Sequence, residues 1–147
     1  MPSKAETKLI CINPAHVAAV WPTVAPLIRR AFDRTRLDDM SRTEAEVLAG
    51  LQLLWLAMEA ADDTHPRTVL AAAITQLINV GDRKICVLVA CGSMARRSAS
   101  WLPLIGGIEH YASEEGCAGM RIIGRRGWER ALNGYEARHV ILEKDLS

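Results

Sequence analysis

His16, His65, His110 and His139 fall on four separate stretches of the chain. A metal centre needs several ligands to converge, and Glu109-His110 does not continue into an HExxH helix. Surface or hydrogen-bonded histidines are therefore expected. Cys11, Cys86, Cys91 and Cys117 are scattered without CxxC spacing. Cys86 sits inside an apolar run, where cysteine acts as a small hydrophobe, so neither a disulfide framework nor a zinc site is expected. Ser93, Ser98 and Ser100 have no histidine nearby and no Gly-x-Ser-x-Gly elbow, which argues against a serine nucleophile. Two further features carry polar groups, one carboxylate among the chain's 17 acidic residues and one polar loop. Glu59 ends an apolar run and would serve as a general base through water if its surroundings raised its pKa. Arg96 and Arg97, followed by Ser98, Ala99 and Ser100, combine guanidinium groups with small residues that let an anion approach the backbone.

Bulk properties narrow the partners. The chain has 147 residues, half of them apolar, with 18 Lys plus Arg against 17 Asp plus Glu and a formal net charge of +1. The pairs Arg29-Arg30, Arg96-Arg97 and Arg125-Arg126 would have to align to form a nucleic-acid stripe. The near-zero net charge supplies no general field for one, so nucleic acid is not an expected partner. Met1 to Lys8 is polar and lacks the apolar stretch of a signal peptide. No apolar run approaches the roughly 20 residues that span a bilayer. No repeat, low-complexity tract or long linker interrupts the chain, so a single cytoplasmic domain over residues 1–147 is expected.

The elements that must position these residues follow from periodicity. Leu9 to Ile12 reads as a short buried strand. Val17, Val20, Trp21, Val24, Leu27, Ile28 and Ala31 recur at helical spacing. Because Pro22 and Pro26 interrupt that pattern, the helix proper is expected to start near Trp21 or Pro22. Ser41-Arg42-Thr43-Glu44 has the capping-box pattern and predicts a second, short helix ending near Gly50. Leu51 to Met58, Thr68 to Ile78 and Lys84 to Cys91 read as three strands with short connections, hence an antiparallel meander. Trp101, Leu104, Ile105, Ile108 and Ala112 share a helical face. Met120 to Ile123 reads as a strand, Trp128 to Leu132 as a short helix and His139 to Leu142 as a closing strand. Trp55, Ile85, Val87, Ile105, Ile108 and Ile122 are the expected core.

The order β-α-α-β-β-β-α-β-α-β resembles that of the GNAT-type N-acetyltransferases over nearly the whole chain. The stretch Leu104 to Cys117, ending Glu114-Glu115-Gly116-Cys117, resembles the family's helix after the cofactor loop. Gly124-Arg125-Arg126-Gly127-Trp128 through Gly134-Tyr135 resembles its last helix and Gly-aromatic exit, in a form similar to small bacteriophage-encoded GNAT-like proteins. The resemblance implies an α/β (α+β) fold with a mixed, mostly antiparallel six-stranded sheet and helices on both faces. It implies acetyl-CoA as cofactor and an amine as acceptor. Val89, Ala90 and Cys91 would offer backbone to the pantetheine arm where the fourth and fifth strands splay. Arg96, Arg97, Ser98, Ala99 and Ser100 would hold the pyrophosphate. Two departures from the pattern point the other way. Ala99 replaces a glycine and Trp101 a small residue in the cofactor loop, and Arg130 stands near the place of the family's tyrosine acid. A guanidinium is a poor general acid. The competing expectation is a non-catalytic GNAT-fold protein for binding or assembly, such as a phage virion or host-interaction component. Its interactions would be with protein partners.

Overall fold

The computed structural model describes residues 7–59, 68–94, 102–124 and 132–146. Strand β1 (Thr7–Ile12) leads into helix α1 (Pro14–Thr35) and helix α2 (Met40–Leu48). Strands β2 (Leu53–Glu59), β3 (Thr68–Val80) and β4 (Arg83–Ser93) follow, then helix α3 (Leu102–Glu114) and strand β5 (Gly119–Ile122). The described residues form a five-stranded sheet in the order β1-β2-β3-β4-β5. Neighbours are antiparallel through β4, and β5 runs parallel to β4, joined to it by α3. The mixed α+β architecture with helices on both faces is as the sequence predicts.

Several details differ. Helix α1 begins at Pro14, seven residues ahead of Trp21, with Asn13 as its N-cap accepting a hydrogen bond from the Ala15 N–H at 2.9 Å. Pro14 fits the first turn, but Pro22 and Pro26 lie inside the helix. Each interior proline costs about 3 kcal/mol. Against that, Val17, Trp21, Val24, Leu27, Ile28 and Phe32 are all buried, and burial of large apolar side chains contributes roughly 1.5–3 kcal/mol apiece. Six such side chains outweigh two prolines, so the apolar stripe decides. Helix α2 is capped by Asp39, whose carboxylate accepts from the Ser41 N–H at 2.9 Å. The Ser41 capping box is therefore not used, because Ser41 already lies inside the helix. The expected sixth strand is not formed among the described residues: residues 139–142 carry no strand pairing there, and Val140, Ile141 and Leu142 are largely exposed. The short helix expected at Trp128 to Leu132 lies outside the described residues except for Leu132.

Two apolar layers flank the sheet. One joins α1 and Val47 of α2 to Leu54, Leu56, Ile74, Ile85, Val87 and Val89. The other joins α3 to Trp55, Ala57, Ala73, Cys86 and Leu88. Trp55, Ile85, Val87, Ile105 and Ile108 are buried as expected, whereas Ile122 is only half-buried at the sheet edge. Trp55 meets Tyr111 edge-on at 5.1 Å between ring centres, and its indole N–H donates to the Thr75 hydroxyl at 2.9 Å. Gly116, at φ +76°, turns the chain out of α3, and the Cys117 N–H closes onto the Ala112 carbonyl at 2.9 Å. Among the described residues no helix is long and apolar enough to cross a membrane.

Candidate functional site between β4 and β5

The candidate site begins with an irregularity in β4. Ile74 of β3 faces Ala90, but the next residue, Thr75, faces Leu88, so Val89 is an extra residue in the ladder. A bulge of this kind leaves one residue unpaired and bends its strand. It also puts two successive residues on one face. Val89 and Ala90 both join the α1 layer, while Leu88 and Cys91 on either side join the α3 layer.

The bulge coincides with the end of the β4–β5 pairing. The parallel register runs from Ile85 opposite Gly119 to Leu88 opposite Ile122. One further bond, from the Ile123 N–H to the Leu88 carbonyl at 3.3 Å, closes it. Beyond that point β4 continues to Ser93, paired only with β3 among the described residues. The strands separate into a notch walled by Val89, Ala90 and Cys91 on one side and Ile123 and Gly124 on the other. Ala31, Arg34 and Thr35, from the last turn of α1, form a third wall. The notch has a free volume of about 20 Å³ and opens to solvent, so it is a shallow furrow and not a closed chamber.

Gly92 sets the distance between two of these walls. A Cβ at this position would lie 2.2 Å from the Leu27 carbonyl oxygen and 2.8 Å from its carbon. Only a residue without a side chain lets α1 approach β4 this closely.

The walls are apolar apart from Arg34, Thr35 and main-chain groups. An open strand edge between apolar walls suits a thin, extended molecule carrying amides, held by main-chain hydrogen bonds as an added strand would be. Cys91 does not supply a nucleophile, because burial pushes its thiol up to about 12, leaving almost no thiolate at neutral pH. Tyr135 donates to Glu109 Oε2 at 3.1 Å. Burial, with the Glu109 carboxylate beside it, raises the Tyr135 pKa well above the usual tyrosine range.

Val89, Ala90 and Cys91, three consecutive residues of β4 among the sequence-predicted ones, line the notch. Arg96, Arg97, Ser98, Ala99 and Ser100, together with Trp101 and Arg130, lie outside the described residues. Glu59 is half-buried at the far end of β2, opposite Thr7 on one side and Thr68 on the other. Strand β3 stands between it and β4, which at about 4.8 Å per strand places the two backbones roughly 10 Å apart. Glu59 also lies past the level of Ser93, since Ala57 already shares its row with Ala71 and Ser93. Sequence reasoning missed Ala31, Arg34, Thr35 and Gly92. Arg34 carried no local signal, and Gly92 read as a loop residue. Among the described residues no cluster of three or more His, Cys, Asp or Glu is placed to hold a metal ion.

No protein-family model matches the chain, and no curated protein matches it. Solved structures do. An aminoglycoside acetyltransferase from an uncultured soil metagenomic sample, in complex with sisomicin, superposes with a TM-score of 0.70 at 9% identity, covering 96% of this chain and 97% of that one. A predicted acetyltransferase from Clostridium acetobutylicum, with acetyl-CoA, gives 0.64 at 10% identity over 96% and 97%. A GNAT family acetyltransferase from Staphylococcus aureus gives 0.62 at 11% identity over 95% and 98%. The chain therefore has the fold of the GNAT acetyltransferases over nearly its whole length.

Proposed function

We propose that the chain is a single-domain, acyl-CoA-dependent N-acyltransferase that uses the β4–β5 notch to hold the thioester. The observation that carries this reading is the coincidence of the Val89 bulge with the end of β5 pairing. It frees strand backbone between apolar walls in a fold shared with a protein solved with acetyl-CoA. In this reading the pantetheine arm lies along Val89 to Cys91. Arg96, Arg97 and the backbone of Ser98, Ala99 and Ser100 hold the pyrophosphate ahead of α3. The acceptor amine attacks the thioester carbonyl directly. The C–N bond forms, the C–S bond breaks, the amine gives up a proton and CoA leaves as the thiol. Glu59 takes the amine proton through intervening water and releases it to solvent, which protonates the departing thiolate. The sisomicin-bound neighbour supports an amine as the acceptor class.

The test is calorimetry of acetyl-CoA binding to the full chain, followed by CoA release with amine acceptors. Micromolar binding is expected, weakened about ten-fold by Arg96→Ala, as loss of a charge-assisted contact does. Glu59→Gln should lower the rate by about a hundred-fold while leaving acetyl-CoA affinity intact. A second reading rests on Ala99 and Trp101, which depart from the family's cofactor loop. In that reading Trp101 fills the pyrophosphate site, and the chain is a non-catalytic binding or assembly protein, for instance of a phage virion. Absence of acetyl-CoA binding in the wild type, with binding gained in a folded Trp101→Gly variant, would favour it.

A further inference from the structure

The α1 wall of the notch has a charge that the acyl-CoA reading leaves unused. Among the described lining residues Arg34 is the one lysine, arginine, aspartate or glutamate side chain. It is exposed, and among the described residues no carboxylate pairs with it. Arg30, one turn earlier and also exposed, lies on the same side of the helix. Of the carboxylates nearest in sequence, Asp33 projects about 100° around the helix from Arg34, and Asp38 is close to Arg42 and Glu46 of α2.

The side of the sheet matters. The loop expected to take the pyrophosphate leads into α3, and α3 packs on the opposite face of the sheet from α1. A cofactor entering from the α3 side would present its phosphates there and its acyl end towards α1. Arg34 then faces the incoming acceptor and not the phosphates. A polycationic amine would meet a like charge with no carboxylate among the described wall residues to offset it, whereas an amine that also carries an anion would gain a charge-assisted hydrogen bond. Resting on the acyltransferase reading, we infer that Arg34 selects acceptor amines bearing a carboxylate or phosphate group, in contrast to the aminoglycoside bound by the sisomicin-bound neighbour. The placement of Arg34 in the last turn of α1 also suits the helix dipole, but that effect alone would not require it to line the notch.

The experiment uses the full chain with saturating acetyl-CoA and compares sisomicin, glycyl-aspartate and phosphoethanolamine as acceptors. At least one of the two anionic amines should exceed sisomicin in kcat/KM by about ten-fold or more, and the two arms separate carboxylate from phosphate recognition. Arg34→Ala should raise KM for the preferred amine by about ten-fold and leave acetyl-CoA affinity unchanged. Arg34→Glu should shift the preference towards sisomicin. Circular dichroism on both variants checks folding, which substitution of an exposed residue is not expected to disturb. The inference is overturned if sisomicin is the better acceptor, or if neither anionic amine turns over in a protein that binds acetyl-CoA. It is equally overturned if Arg34→Ala weakens acetyl-CoA binding, which would assign the guanidinium to the cofactor. Failure of acetyl-CoA to bind at all removes the acyltransferase reading itself, and this inference with it.

Discussion

Trp55 and Thr75 are each almost fully buried, and the bond between them satisfies the only polar atom of the indole. Thr75→Val keeps the shape and removes the acceptor. It should cost about 1–3 kcal/mol in urea unfolding, the penalty for an orphaned buried donor, with a shift in tryptophan emission. The thiols make a different prediction. Burial lifts Cys86 to about 11, helped by nearby Cys117, and lifts Cys91 to about 12, from an ordinary value near 9. The folded state therefore keeps these protons after the unfolded state has lost them. Stability from this source is complete below pH 9 and falls as pH rises from 9 through 11 and 12. The urea midpoint should decline over that interval, and less steeply in Cys91→Ala. At this scale the sequence was informative where chemistry and burial coincide, as with Trp55 and Cys86. It was silent on Arg34, because an arginine near a helix end has the same local signature whether it faces solvent or a notch.

The elements were legible where apolar runs dominate. Strands β2 to β5 fall within two residues of their expected ends, because buried strands read as continuous apolar stretches. That same continuity hid the bulge. Alternation reveals a register slip only when one face is polar, and Leu88, Val89 and Ala90 are apolar on both. Local proline rules point to a start of α1 near Trp21, whereas the stripe that buries Val17 and Trp21 carries the helix back to Pro14. The closing strand failed for the opposite reason: Val140-Ile141-Leu142 has strand character, but strand formation needs a partner edge as well as propensity. The bulge is testable as an element. Deleting Val89 would restore simple alternation from Leu88 to Cys91 and allow β4 to run straight beside β5. The expected result is a folded protein in which acetyl-CoA binding is weakened by at least about ten-fold, since the open strand edge is lost. Undiminished binding in a folded deletion variant would separate the bulge from ligand binding.

Across the molecule, the two apolar layers share one sheet, so the notch is where both layers and the sheet edge meet. Its walls differ in how firmly they are held. Gly92 puts the main chain of β4 against the main chain of α1 at Leu27 with no side chain between them, whereas β5 is a four-residue edge strand held through one neighbour. The notch therefore has one rigid jaw, made of α1 and β4 together, and one compliant jaw, made of β5. Widening it to admit a ligand falls to β5, because moving β4 would drag the whole of α1 and its buried stripe. Amide hydrogen exchange should record this directly: slow at Val87 and Leu88, fast at Met120 to Ile123 in the free protein, and slowed at Val89 to Cys91 and across β5 when acetyl-CoA is added.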